Sequence, residues 1–199
     1  LKENKAKADA VIAQIEAIGE VTLDAREEIA AAREAFGALT ENQKALVPER
    51  TRKILENAEK RITELLEQKD KIDAFLSCAG RIPETVSIED DSLLLVMRAH
   101  AAWLKLSDEE KKQVDETLIG KIQEKEKQLQ ELAQQKMTDA DYEAAQAMEI
   151  RIAAAGGDVK LEDEAVLLQI RNDFDAMSNV QQALVSNYYS LVAQEMGLE

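Results

Sequence analysis

Proline and glycine are scarce here: two and seven among 199 residues. So few chain-breakers leave little room for turns, and helices must dominate. One cysteine, Cys78, excludes an internal disulfide and a cysteine metal cluster. A disulfide-free chain suits the cytosol, and it equally suits a secreted protein held together by helix packing. Aromatics make up only 4%. No apolar run approaches the roughly 20 residues that a membrane-spanning helix needs. Positive charge is also short: 25 Lys and Arg stand against 40 Asp and Glu, a net charge of −15. Such a surface repels a phosphate backbone and an anionic bilayer, so neither nucleic acid nor membrane insertion is expected. A monomer is expected.

What is present is a globular balance, with 45% hydrophobic and 33% charged residues. Ala, Leu, Glu, Lys, Gln and Ile carry it, as in helical bundles. One stretch is written three times: Phe36 to Val47, Trp103 to Val114 and Phe174 to Val185. Each copy has an aromatic residue, then Leu or Met three positions on, then Thr or Ser. Three residues after that hydroxyl comes Gln43, Glu110 or Gln181, and each copy closes on Val. The hydroxyl and the Gln or Glu have the spacing of a capping box. There the side-chain oxygen accepts from the N3 amide, and the N3 side chain reaches back to the cap amide. Each copy therefore reads as the end of one helix, a tight turn and the start of the next. It is an architectural repeat without chemistry of its own.

In chain order, a helix is expected over 1–18, with Val11 or Ile12, Ile15 and Ile18 on one face and Gly19 at its end. Thr22 or Asp24 caps the next helix, whose stripe is Ile29, Ala32, Phe36 and Leu39. After a short segment from Thr40, a long helix runs from about Pro48 to Ala79, roughly 45 Å at 1.5 Å per residue. Ser87 to Asp90 caps the second repeat's middle helix, with the stripe Val96, Ala99, Trp103 and Leu106. A second long helix is expected from about Asp115 to Ala155, unless the cap pattern at Thr138 to Asp141 breaks it. The third stripe is Leu167, Ile170, Phe174 and Met177, after Gly156-Gly157, with Val159-Lys160-Leu161 matching Val21-Thr22-Leu23. No gap separates the first and third copies from Val21 to Val47, the register of one repeated unit. The expected fold is all-α: three tandem three-helix bundles over 1–66, 67–133 and 134–199. Long shared helices would link them into an elongated, spectrin-like array. Leu1 in place of Met and the short last helix suggest an excised piece of a longer protein, with Leu198-Glu199 a candidate cloning remnant.

Val21-Thr22-Leu23-Asp24, Ala32 to Phe36 and Leu39 to Val47 together resemble a helical repeat unit common in large surface proteins of Gram-positive bacteria. Leu184 to Tyr188 is similar to that unit's closing motif. The second copy departs, with Trp103 at the usual Phe or Tyr position and two extra residues before Ser87. The resemblance implies an extracellular or cell-wall-attached protein in which such units serve as spacers or adhesive modules. It carries no catalytic residues, metal or cofactor.

The residues themselves lead the same way. His100, the one histidine, aligns with Arg33 and Arg171 beside the core stripe and lacks the partner pattern of a catalytic base. Cys78, beside Phe75, reads as a small packed hydrophobe. Paired Glu-x-x-His ligands, an EF-hand loop and a phosphate loop are all missing. Leu93 to Met97 is richer in apolar residues than its helix needs, which leaves Leu94, Leu95 or Met97 toward the rim. Packing against a neighbouring repeat accounts for them, and so does a partner-binding patch. Tyr188 and Tyr189 are read alike, one packed and the other exposed. The candidate contact residues for an unknown protein or glycan partner are thus Leu94, Leu95, Met97 and Tyr189. An enzyme is not expected. A non-enzymatic spacer or interaction repeat is, with an adhesin-type binding module or a cytosolic spectrin-like scaffold as alternatives.

Overall fold

A computed structural model describes residues 2–156 and 164–196. Leu1, Gly157, the Val159-Lys160-Leu161 match and Leu198-Glu199 lie outside the described residues. Within them the chain is all-helical, with no strand. The α-helices are α1 (Lys2–Glu16), α2 (Arg26–Gly37), α3 (Glu41–Lys44), α4 (Glu49–Ala79), α5 (Ser92–Leu104) and α6 (Asp108–Lys111). They continue as α7 (Thr117–Lys136), α8 (Asp139–Ala154), α9 (Glu164–Asp175), α10 (Asn179–Leu184) and α11 (Tyr188–Met196).

The three written turns fold as their residues dictate. A capping box forms at Thr40/Gln43, at Ser107/Glu110 and at Ser178/Gln181. Ser107 N donates to Glu110 Oε2 at 2.7 Å, and Glu110 N donates back to Ser107 Oγ at 3.3 Å. The closing Val47, Val114 and Val185 are all buried, as are the paired stripe positions Ile29/Ala32, Val96/Ala99 and Leu167/Ile170.

Three expected starts differ. Ser87 to Asp90 do not cap α5: Asp91 occupies the cap position and makes no side-chain cap bond. Neither Thr22 nor Asp24 caps α2: residues Leu23–Ala25 form a 3-10 turn, Thr22 makes no side-chain cap bond, and Ala25 occupies the cap position. The long helix expected from Asp115 to Ala155 is two helices. Met137 is extended at ψ 146°, and Thr138 makes a fourth capping box with Asp141. Thr138 N donates to Asp141 Oδ2 at 3.0 Å, and Asp141 N donates to Thr138 Oγ1 at 3.2 Å. A side chain that satisfies the first amides of α8 competes directly with continuation of α7.

The chain forms two compact units, Leu1–Asp70 and Lys71–Glu199. In the first, Val11, Ile15, Ile29, Ala32, Leu55 and Ala58 make a core between α1, α2 and α4. Gln43 and Thr51 are the buried polar residues here; Thr51 Oγ1 donates to Glu16 Oε1 at 3.3 Å. In the second unit one core runs from Phe75 near the end of α4 through Val96, Leu129, Ile152 and Phe174 to Leu191 of α11. Residues on both sides of the expected boundary at 133/134 share it. Val180, Ala183 and Leu184 of α10 pack against it, and α10 meets both α7 and α8. Gly156 follows α8 closely: an added Cβ would lie 3.1 Å from Ala153 O and 3.3 Å from Gln194 Nε2.

A recurring cross-brace and the crevice beside it

Two long-range ties recur once per written copy. The first uses the third residue of each capped turn, which reaches the helix 39, 39 and 40 residues back along the chain. Gln43 Nε2 donates to Asn4 Oδ1 at 3.2 Å, and Gln181 Nε2 donates to Asp141 Oδ1 at 3.0 Å. In the middle copy Glu110 replaces Gln, and its partner is a cation, Lys71 Nζ, at 3.8 Å. The residue pair changes, but the tie between turn and preceding helix is kept.

The second tie joins a basic residue on the middle helix to a glutamate on the helix that follows the capped turn, 26, 26 and 24 residues later. Arg33 grips Glu59 through Nε and Nη2. Arg171 grips Glu195 in the same bidentate way, at 2.8 and 2.6 Å. In the middle copy His100 Nδ1 meets Glu126 Oε1 at 2.7 Å. Burial works against the Arg171 charge, yet bonds to Glu195 and to the Tyr188 hydroxyl, at 3.0 Å, hold its pKa above the usual arginine value.

The middle brace opens onto a crevice of about 240 Å³ between α5, α7, α10 and α11. Leu93, Met97 and Val185 give it apolar lining, and Gln123, Gln130 and Gln182 give it amides. Tyr189 of α11 lies over the His100 ring, with centroids 3.9 Å apart, and donates its hydroxyl to Glu126 Oε1. Burial first, and then the Glu126 charge, push the Tyr189 phenol well above its ordinary pKa, so it remains a donor. Tyr188 meets Tyr189 edge-on at 5.0 Å and stacks on Phe174 at 4.7 Å.

The four candidate contact residues separate. Met97 and Tyr189 come together at this crevice, Met97 buried and Tyr189 half-buried. Leu95 is half-buried, and Leu94 is 47% exposed on another face of α5. Neither tyrosine is fully exposed, because α11 folds both against its neighbours. Cys78 packs against the core as a hydrophobe. Among the described residues the most exposed large apolar side chains lie elsewhere, at Ile150 of α8 and at Val166 and Leu168 of α9. Beside them Ala154, Ala155, Ala165 and Val166 line an open groove of about 480 Å³. Among the described residues no three His, Cys, Asp or Glu side chains are placed to hold a metal ion, and no helix is long and apolar enough to cross a membrane.

His100, expected beside the core stripe, is largely covered there; its side chain is 13% exposed. A signal for its partner was present: Arg33, His100 and Arg171 align, and Glu59, Glu126 and Glu195 stand at nearly constant distance after them. No protein-family model, curated protein or solved structure matches this chain.

Proposed function

We propose that this chain is a set of non-enzymatic structural repeats, a spacer and interaction region of a larger bacterial surface or secreted protein. The observation that supports it is recurrence. The same capped turn, turn-to-helix tie and base-to-glutamate brace appear three times with different residues filling them. Chemistry would keep one set of groups in one place, whereas an architectural unit keeps its ties and lets their residues vary. The polar cluster His100–Glu126–Tyr189 directs its groups at one another. The surface location rests on the resemblance to Gram-positive repeat units.

A second reading, an adhesin-type module for a protein or glycan, is favoured by the exposed Ile150, Val166 and Leu168 beside the alanine-lined groove. A screen of this chain against glycans and plasma proteins at roughly 100 µM, far above useful adhesin affinities, separates the two. No saturable binding leaves the spacer role. Saturable binding lost in Leu168→Glu and Val166→Glu moves the function to the adhesin reading, and hydrolysis or turnover of any probe would end both.

A further inference from the structure

The three written copies are reached in two ways, and one residue position follows the kind of joint. The second copy is reached through α4, a helix unbroken from Glu49 to Ala79. The third is reached across a break: α7 ends at the extended Met137, and Thr138 starts α8. The break lets the chain turn, and α10 lies against both α7 and α8. The two residues before the closing valine differ accordingly. In the second copy they are Lys112 and Gln113, both exposed; in the third they are Ala183 and Leu184, both half-buried. Leu184 shares a cleft with Gln130, Gln134 and Met137 of α7 and with Ala145 of α8.

The first copy has the third copy's residues without the third copy's cover. Before Val47 stand Ala45 and Leu46, both exposed, Leu46 by 49%. Their surroundings match as well. Gln43 ties the α3 turn to Asn4 near the start of α1, as Gln181 ties the α10 turn to Asp141 near the start of α8. Of the three elements that meet at Leu184, the capped turn and the helix start are thus repeated at Leu46. Among the described residues of the first unit no helix takes the place of α7.

We propose that Ala45 and Leu46 form the seat of a helix of α7's kind, the last helix of another repeat, which enters α1 through an extended residue and a hydroxyl cap. The helix that fits presents what α7 presents to Leu184: glutamine amides around a methionine. Gln113 supplies the contrast. Where the preceding helix runs straight on, no helix folds back over the turn, and the position is polar. Where it folds back, burial of a leucine stabilises the joint between neighbouring units. Such a seat rests on the reading of the chain as structural repeats, and it gives that reading a partner, a neighbouring repeat.

The test places a second copy of residues 71–138 directly before Lys2 of the full chain, so that a copy of α7 and its break lead into α1. Hydrogen exchange over residues 38–48, read by mass spectrometry, should slow at least about fivefold against the unextended chain. Leu46→Gln, which installs the second copy's residue, should restore the unextended rate. Gln134→Glu with Met137→Glu in the added segment should do the same from the other side. An unchanged rate in the extended chain would overturn the seat, and so would slowing that survives Leu46→Gln. Far-UV circular dichroism checks that the added segment is helical. Leu184→Gln in the unextended chain needs no added segment: exchange over residues 178–185 should rise at least about fivefold, and no rise would overturn the seat by removing its template. A failed seat leaves the repeat reading standing, since that reading is tested by the binding screen and by turnover.

Discussion

Ile152→Ala tests the single core of the Lys71–Glu199 unit, because its effect should be read at a tryptophan in another repeat. Ile152 lies on α8, within the third expected bundle (134–199), and is fully buried. Trp103, the only tryptophan, lies on α5 in the second, packed against the same core and 5.3 Å from the Phe75 ring. Truncation removes three carbons, about 2.4 kcal/mol at ~0.8 kcal/mol per buried methylene. Incomplete collapse of the cavity brings the total to about 2–5 kcal/mol. With a urea slope of about 2 kcal/mol/M, the unfolding midpoint should fall by about 1–2.5 M. The assay is a urea titration followed by Trp103 fluorescence and by far-UV circular dichroism on the same samples. One shared core requires the Trp103 midpoint to fall by that full amount. If the second and third repeats were independent bundles, the third would melt early while Trp103 kept its wild-type midpoint. A fluorescence midpoint within about 0.2 M of wild type, beside an early partial loss of helicity, would refute the shared core.

The other predictions concern the ties. Ser107→Ala and Ser178→Ala should each cost about 1 kcal/mol, seen as lower urea midpoints with unchanged slope, because each leaves first-turn amides without an acceptor. Arg171→Met should cost about 1–3 kcal/mol by stranding Glu195 and the Tyr188 hydroxyl, and Arg171→Lys should recover only part of it, since an ammonium cannot make the bidentate pair. Asp173, bonded by Arg151 and Gln169, and Asp141, bonded by the Thr138 amide, have pKa values held below the usual carboxylate value. Their contributions are complete above the unfolded-state pKa and are lost as pH falls through the folded ones. Arg151→Gln should therefore flatten the acid limb of a stability–pH curve below about pH 4. Tyr189 has the opposite sense: its folded pKa is raised, so its contribution is present below about pH 10 and lost above it. Tyr189→Phe should make alkaline unfolding shallower, measured by circular dichroism.

What could be read from residues alone follows the range of the interaction. The capped turns were legible because Ser107 and Glu110 sit three residues apart and settle their geometry between themselves. The stripes were legible because burial of Val96 and Ala99 obeys the helical period. Thr138 was legible only as a choice, since capping α8 and continuing α7 compete over the same few residues. What lay beyond reach depends on what stands opposite. Leu46 and Leu184 are the same residue at the same place, each between an alanine and the closing valine of its copy. Leu46 is 49% exposed, whereas Leu184 packs against a core to which α7 and α8 both contribute. Met97 and Leu168 repeat the lesson at another matched position, the first buried beside a crevice lined by Tyr189 and the second 59% exposed. A periodic pattern tells which side chains can be buried. Which of them are buried is decided by the neighbour that the chain delivers, and a neighbour some 90 residues away, such as Asn179 donating to Ile88 O at 3.0 Å, leaves no mark in the local pattern. His100 belongs to this second class: its alignment with two arginines marks the brace, but only the fold brings Tyr189 over it.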